Sequence, residues 1–600
     1  MKFFLLLIPI FNFIIFNNIF FRTNDFLLIL NLFCIYFIIG NGFILRINTI
    51  KNHLFFYILF SISSGIIISS VAIMIPAHFL IQINNFIPSV ILLVLSYISV
   101  ILFFKNNIKF VKIDLKVNLI NLLISLPVLI LSIFSLILIF KTNSEYWDHF
   151  TFWWDAPKKL FLYGKLPIID SNGIQNANYS YISIIPYFLT YQTLGAIKEQ
   201  FLPIYNNLYF LTSIYFIFYI QKKNILKITS IFYIIYFYTF ALDFLIYSYA
   251  DLYSSMLILS IIYFTFRNKS VPIFEIIFLI INFVLLKSTN KYYLYGILPL
   301  ILLYFFQNFK SIKIKITKNT ILYIFLISLL ILSYIYYKQS FNNLNFGIIE
   351  LTQSNIKLDN LIDNFKTTVI FLIFAFKYYL IFLLLILYMC IFKRNYRYIL
   401  TTSLILPLIN ILYYVLYKSH APYSLLRYIS IVSFLPLISL KRIQFSSKIF
   451  KNCFLIVNFI LIFFILKNHI LKYKTHLSKK YNNGYFVKED YKQIKNYLSL
   501  TDKILTISKP LSFHKEKELF LSNHISNLIK YYLTDYTFDQ NLLYIKYSQI
   551  IEYINKNKIN ILILTDYDEK LLLFINKNFK SDKTKLIIFK NTEILVLRLR

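Results

Sequence analysis

Glycine and cysteine are scarce in this chain, and each scarcity excludes a class of site. Nine glycines in 600 residues provide no glycine-rich loop that cradles phosphates, which argues against a nucleotide-driven pump. The three cysteines, Cys34, Cys390 and Cys453, lie in or beside apolar runs without metal-ligand spacing. Neither a disulfide framework nor a zinc site is therefore indicated. Acidic residues are also few, at 26 against 61 basic residues, which gives a net charge of +35.

Apolar residues make up 58% of the chain and charged residues only 14%. A soluble protein of this size cannot bury that much apolar surface, and many apolar runs have the length of about 17–25 residues that spans a bilayer as a helix. The sequence therefore predicts an all-α polytopic membrane protein with about fifteen transmembrane helices. The first apolar run has no small-residue cleavage site, so we expect it to be retained as a helix. The predicted spans are 3–21, 26–45, 54–80, 88–104, 117–140, 203–221, 226–245, 250–266, 272–288, 292–306, 319–337, 367–392, 399–417, 424–440 and 452–467.

The basic residues cluster in every second loop between these spans. Loops such as 105–116, 309–318 and 441–451 are rich in lysine, whereas 81–87 and 246–250 contain no lysine or arginine. This alternation follows the positive-inside rule and predicts a cytoplasmic N-terminus in the plasma membrane. It also explains the net charge without a nucleic-acid partner.

Three segments then fall on the outer, periplasmic or extracellular side. They are a long first outer loop at 141–202, a polar loop at 338–366, and the chain from about 468 to 600. The last segment changes in character: 503–508, 560–566 and 585–599 have strand patterns, and 548–558 has helical spacing. We therefore predict a small C-terminal α/β extracytoplasmic domain at 468–600.

The most unusual stretch is Glu145 to Phe161, at the start of the first outer loop. It combines acids and two adjacent lysines with all three tryptophans of the chain, and reads EYWDHFTFWWDAPKKLF. Indole rings favour the membrane interface, so the stretch can anchor a short helix there, with Lys158 and Lys159 directed to lipid phosphates or water. A carboxylate such as Asp148 at that depth can also act as a general base on a hydroxyl. Composition alone leaves both interpretations open.

The same stretch resembles the first periplasmic loop of GT-C-type glycosyltransferases, which use polyprenyl-phosphate sugars. That loop often reads W-D-x-x-x-x-W-x-x-K-x-K, followed by Y-P-x-x-x-P. The residues that fit are Trp147, Asp148, Trp153, Lys159, Tyr179 and Pro186. Ser180 stands where the family usually has proline, and His149 replaces a small or acidic residue.

Three later elements also resemble the family. YADLY at 249–253 is similar to Y-A-D-x-P and supplies Asp251, although Tyr253 replaces the proline. LLKSTNKYYLYG at 285–296 resembles a lysine-bearing turn, for which Lys287 and Lys291 both qualify. RYISIVSFLP at 427–436 supplies Arg427 and Tyr428. The predicted topology puts all of these near the outer face.

The resemblance implies a GT-C-like core at 117–467, preceded by additional transmembrane helices at 1–116. It implies that Asp148 activates an acceptor hydroxyl and that the sugar leaves polyprenyl phosphate with inversion. Glu145, Asp155 and Asp251 become auxiliary or acceptor-binding carboxylates. The residues that would hold the donor phosphate are Lys159, Lys287, Lys291 and Arg427. Some relatives bind a divalent metal, although no cluster here demands one; the acceptor is a glycan, lipid or protein.

Other interpretations stay open. Asp251 is also placed to cap a helix, and Lys287 and Lys291 to extend from helix ends towards water. For the whole chain, a polysaccharide polymerase or ligase is the second enzyme class, although the large catalytic loop of such proteins usually comes late. A lipid or glycan transporter is the third. Charges inside spans and broken helices would favour it, but this chain has few charges inside its predicted spans, and its acids cluster at one face rather than at mid-depth.

Overall fold

The structure is a computed structural model of the chain, mostly helical in its first part and sheet-containing in its last. Some positions between 366 and 460 are described singly, as are residues 533 and 567. The described ranges are 2–16, 24–43, 53–83, 86–105, 114–141, 155–166, 181–221, 223–240, 250–267, 270–271, 273–286, 290–308, 313–314, 320–342, 494–508, 518–520, 529–530, 536–538, 544–565, 569–579, 581–589 and 592–599.

Thirteen helices among the described residues of the first part form what we call the helix bundle. They are α1 (Lys2–Phe16), α2 (Asp25–Phe43), α3 (Leu54–His78), α4 (Phe86–Lys105), α5 (Leu115–Lys141), α6 (Asp155–Tyr163), α7 (Ile185–Leu194), α8 (Pro203–Ile220), α9 (Asn224–Phe240), α10 (Asp251–Arg267), α11 (Ile273–Leu286), α12 (Asn290–Asn308) and α13 (Thr320–Asn342). Each predicted span up to residue 337 corresponds to one of these helices. The four later predicted spans lie outside the described residues, apart from single positions.

Five segments of the bundle are long and apolar enough to cross a membrane. They are Asp25–Gly42, Leu54–His78, Leu115–Ile137, Glu199–Ile220 and Thr320–Tyr337. Many leucine and isoleucine side chains of α5 and α13 are exposed, whereas the 22-residue segment that contains α8 is almost entirely buried. Exposed apolar side chains on α5 and α13 are favourable next to lipid and costly next to water.

The helix α3 lies in the middle of the bundle, packed against α2, α4, α7, α8 and α13. Two glycines permit its close approach to α2. A Cβ on Gly40 would overlap the backbone of Ser61, and a Cβ on Gly65 would overlap the backbone of Tyr36. Small residues at helix crossings allow this contact in membranes. The N-terminal helices are therefore packed directly into the bundle through α3.

Polar contacts gather at the two ends of the bundle. At one, which we call the His53 end, Lys227 Nζ donates to Asn121 Oδ1 at 2.6 Å, and Asn121 Nδ2 lies 3.3 Å from His53 Nδ1. The opposite, α6 end includes His78, whose Nδ1 lies 3.2 Å from Ser333 Oγ. The ring of Tyr219, in the last turn of α8, lies 5.5 Å from the His53 ring. The helix α8 therefore runs from the α6 end to the His53 end.

The C-terminal part contains a five-stranded mixed sheet. Its strands are β3 (Lys503–Ile507), β5 (Thr537–Phe538), β7 (Ile561–Leu564), β8 (Ser581–Phe589) and β9 (Thr592–Leu599), in the order β5-β3-β7-β9-β8. The strand β3 is parallel to β5 and β7, whereas β9 is antiparallel to β7 and β8. Two further pairs, β1 (Ser270–Val271) with β2 (Lys313–Ile314) and β4 (Glu518–Phe520) with β6 (Tyr544–Lys546), lie outside this sheet.

Apolar residues cover both faces of this sheet. One face packs against α14 (Ile550–Asn557) and α15 (Glu569–Asn578), where Leu562 and Leu564 meet Ile554 and Leu571. The other packs residues such as Ile561 against the described parts of the chain near 494 and 529. The strands predicted at 503–508, 560–566 and 585–599 and the helix predicted at 548–558 are confirmed.

Candidate functional site

Four of the predicted site residues have described side chains: Asp155, Lys159, Pro186 and Asp251. Lys291 is described only as part of the helix α12. The remaining predicted site residues lie outside the described residues: Glu145, Trp147, Asp148, Trp153, Tyr179, Lys287, Arg427 and Tyr428.

The helix α6 carries Asp155 and Lys159, and its local sequence accounts for its bounds. Asp155 stands in the first turn, where a carboxylate favours the helix dipole, and Pro157 follows two residues later, where a missing N–H costs nothing. Gly164 ends the helix with φ of 66°, a conformation that glycine adopts freely. Its carbonyl accepts a hydrogen bond of 2.6 Å from the N–H of Ile83, which ties the end of α6 to the chain after α3.

The helix α6 is embedded in the bundle. Ala156 and Leu160 belong to the bundle core, and Lys158 is only 7% exposed. The expectation that Lys158 is directed to water or lipid phosphates is therefore wrong. The physical reason is that α6 packs against α7 and that its first turns are buried, Lys158 included.

Asp155 and Lys159 form an ion pair one helical turn apart. Lys159 Nζ lies 2.7 Å from Asp155 Oδ2, and their side chains are 22% and 2% exposed, respectively. Within the described residues, Asp155 Oδ1 has no hydrogen-bond partner. The predicted acceptor carboxylate and the predicted phosphate-binding lysine thus neutralise each other, and the aspartate holds the lysine near the start of α6.

The helix α7 follows the second part of the family motif. Pro186 occupies the first turn of α7, which is buried along its whole length. The carbonyl of Pro186 accepts a hydrogen bond of 2.9 Å from Thr190 Oγ1, and that oxygen lies 2.8 Å from the Tyr205 hydroxyl. Pro186 therefore marks the start of α7.

Five buried tyrosines from four helices converge next to α7. The Tyr187 and Tyr205 rings are 5.7 Å apart, and the Tyr209 and Tyr253 rings stack at 4.4 Å with an interplanar angle of 6°. Tyr36 of α2 completes the group, and the hydroxyls are close enough to interact electrostatically. Sequence analysis missed this tyrosine cluster, since 50 tyrosines in the chain give no local signal for which ones meet.

Asp251 lies beside this cluster, in the first turn of α10, and its side chain is buried. The start of α12 is also hydrogen-bonded to α10. Asn290, the first residue of α12, donates from Nδ2 to Ser254 Oγ at 2.8 Å and to the carbonyl of Phe283 at 2.7 Å. These bonds fix the N-terminus of α12, which Lys287 and Lys291 flank in sequence, against the start of α10.

Contacts run without a break through these elements. The Phe161 ring of α6 lies 6.1 Å from the Tyr191 ring of α7. The next contacts are made by Tyr205 between α7 and α8, and by Tyr253 between α8 and α10. Asn290 then joins α12 to α10. Three of the four motif regions thus lie on elements that adjoin at the α6 end. From the fourth region only Phe434, Leu435 and Leu437 are described; the Phe434 ring lies 6.2 Å from Phe210 of α8.

The described residues contain no group of three or more histidine, cysteine, aspartate or glutamate side chains that could hold a metal ion. Comparison of the chain with protein-family models, with curated protein sequences and with solved structures gives no match.

Proposed function

We propose that this chain is an integral membrane glycosyltransferase of the GT-C type, which transfers a sugar from a polyprenyl-phosphate donor to an acceptor hydroxyl. The observation that carries the proposal is the adjacency of α6, α7, α8, α10 and α12 at the α6 end. Their starts carry the Asp155–Lys159 pair, Pro186 and Asp251, which belong to motifs far apart in sequence. The resemblance requires these motifs to lie at one membrane face, and their contacts agree with that requirement.

The pattern of end contacts also supports the proposed topology. Under that topology the His53 end is cytoplasmic and the α6 end faces outwards. His53, Asn121 and Lys227 all stand at span ends that the charge pattern assigns to the cytoplasm. Asp25 and Lys198, which form an ion pair, are both assigned to the outer side. The C-terminal sheet would then lie outside the membrane.

The proposed reaction is a single displacement. Asp148 takes the proton of the acceptor hydroxyl while that oxygen attacks the anomeric carbon. The bond between that carbon and the phosphate oxygen breaks, the electron pair leaves with polyprenyl phosphate, and the configuration inverts. Lys159, Arg427 and either Lys287 or Lys291 stabilise the phosphate charge. Asp155 positions Lys159 and lowers the cost of placing a cation in an apolar site.

The test is a transfer assay with purified protein in lipid nanodiscs and a panel of polyprenyl-phosphate sugars. We expect the Asp148→Asn variant to lose transfer by about 10²–10⁴-fold, the usual effect of losing a general base. Donor binding should be retained, because the phosphate-binding cations are unchanged. Asp170→Asn, at a carboxylate of the same outer loop to which no role is assigned, is the matched control and should keep most of the activity. Wild-type turnover by Asp148→Asn would overturn the assignment of the base.

One buried acid favours the transporter as the second candidate. Glu275, in the first turn of α11 and inside a predicted span, is only 3% exposed and lines a cavity of about 40 Å³. The cavity is also lined by Ser64 and Ser260, and by Tyr323. The sequence pattern places most acids at one face and does not single out Glu275. Ionisable groups inside membrane spans often serve ion or substrate pathways. Movement of a glycolipid across proteoliposomes without bond cleavage would favour this candidate over the transferase.

A further inference from the structure

The connections that follow the two central strands of the C-terminal sheet, β3 and β7, lead towards opposite edges of the sheet. After β3 the chain rejoins the sheet at β5, on one side of β3, and after β7 it rejoins at β8, beyond β9 on the other side. In open α/β sheets, ligands bind outside the carboxyl ends of the strands at such a reversal. This point lies between the ends of β3 and β7.

The described connections after these strands lie on opposite faces of the sheet. Ile529 and Leu533, which follow β3, pack on the face that contains Ile561. Leu571 of α15, which follows β7, packs on the face that contains Leu562. The described parts of the two connections therefore diverge from the gap between the strand ends.

Three hydroxyl side chains share one face at this gap. Thr506 and Ser508 alternate with Ile507 along β3, and Thr565 follows Leu564 directly after β7. Ile507 is in register with Leu564, and the N–H of Thr565 donates to the carbonyl of Ile507 at 3.0 Å. Because side chains alternate along strands, all three hydroxyl residues lie on the face that contains Ile561.

Thr565 is the group that calls for an explanation. Its side chain is 0% exposed, and within the described residues Oγ1 has no hydrogen-bond partner. A buried hydroxyl without a partner lowers stability, and valine has nearly the same shape without that cost. A polar atom of this kind at a position where ligands bind is a candidate ligand contact.

The acidic residues that follow Thr565 indicate which class of ligand would bind. Asp566 and Asp568 follow Thr565 in sequence, and the exposed Glu569 begins α15. Three acidic residues within four positions of Thr565 in the sequence disfavour a phosphate, whereas carboxylates and hydroxyls both accept hydrogen bonds from sugar hydroxyls. We infer that the gap between the carboxyl ends of β3 and β7 binds a carbohydrate, with Ser508 and Thr565 as contacts. The inference rests on the proposed function, for which it provides a docking site for the acceptor glycan.

The experiment measures binding of maltose, chitobiose and lactose to the full chain in nanodiscs by saturation-transfer NMR, without any donor. We expect at least one disaccharide to bind and Thr565→Val to weaken it by about tenfold, the equivalent of about 1.4 kcal/mol. Thr565→Val should melt at the same temperature as the wild type or higher, because it removes an unpartnered buried hydroxyl. Thr565→Ser keeps the hydroxyl and should bind normally, as should Thr537→Val, the control at an exposed threonine of the same sheet.

Two results would overturn the inference: no binding of any of the three disaccharides, or equal affinity in Thr565→Val and the wild type. Displacement of the bound sugar by inorganic phosphate would assign the gap to phosphate instead and would also overturn it. The Asp148→Asn variant separates this inference from the proposed function. It should lose transfer and keep disaccharide binding, and binding in a wild-type protein that transfers no sugar would refute the transferase alone.

Discussion

At the scale of single residues, the Asp155–Lys159 pair shows how burial decides the roles of a carboxylate and a lysine. The aspartate is almost fully enclosed, whereas the lysine reaches the surface of the described structure. Removal of the lysine and removal of the aspartate are therefore not equivalent in their effect on stability. A buried carboxylate left alone is costly, while a partly exposed ammonium can turn towards solvent or lipid phosphate.

We accordingly predict that Lys159→Met destabilises the protein more than Asp155→Asn does. The loss should approach about 3–5 kcal/mol for Lys159→Met and stay at about 1 kcal/mol or less for Asp155→Asn. The double variant should recover most of the loss, because no buried charge then remains. Thermal unfolding in detergent measures all three. Equal losses in the two single variants would show that the pair is more exposed than its geometry indicates.

At the scale of elements, helix ends are joined by polar side chains, since apolar packing alone does not fix which helices meet in lipid. The contacts of His53, Asn121 and Lys227 join the starts of α3, α5 and α9. Lys227 donates to the amide oxygen of Asn121, so the amide nitrogen faces His53 Nδ1, which must accept. The contact therefore requires neutral His53. Burial, together with the nearby Lys227 cation, lowers the pKa of His53 below its ordinary value of 6.5, and Asp114 opposes this in part.

This arrangement predicts a pH-dependent stability with a defined sign. Because the pKa of His53 is lower in the folded state, the unfolded chain binds a proton more readily, and stability is lost as the pH falls. The contribution should be complete above about pH 6.5 and should decrease below it. Melting temperatures between about pH 7.5 and pH 5.5 should therefore fall more in the wild type than in His53→Phe, which keeps a ring against Tyr219. An identical slope in both proteins would assign the pH dependence to other groups.

At the scale of the whole molecule, the decisive property is which end of the bundle faces the cytoplasm. The proposed active site lies at the α6 end, and it reaches polyprenyl-phosphate sugars on the outer leaflet only if that end faces outwards. Alternating lysine-rich loops predict this orientation, and the contacts at the two ends are consistent with it.

Cysteine labelling tests the orientation. In a background without Cys34, Cys390 and Cys453, we expect Lys570→Cys, in the C-terminal domain, to react with a membrane-impermeant maleimide in spheroplasts. Lys223→Cys, between α8 and α9, should react only after the membrane is permeabilised. Both positions are exposed, so that accessibility is set by the membrane. The reverse pattern would place the proposed site on the cytoplasmic side and would refute the proposed topology.

The sequence by itself determined most of the described bundle helices and the longer strands of the C-terminal sheet, whereas α7, α15 and the short strands such as β5 were not predicted. Spans such as 54–80 and 203–221 match α3 and α8 closely, because apolar run length specifies a membrane-length helix and the burial of its backbone polar groups leaves little alternative. The strand pattern at 585–599 was equally informative, since alternating and apolar residues on both sides of a turn specify a pair of antiparallel strands.

The tertiary structure alone decided which residues meet. Nothing local in the sequence distinguishes Tyr209 and Tyr253 from the other tyrosines, and nothing local indicates that Lys158 is buried. Likewise, Thr565 became a candidate ligand contact only through the strand order, which sets β3 beside β7. The physical reason is that a hydrophobic pattern fixes how much of each element is buried, while the partner that covers it depends on shape and polar matching across distant segments.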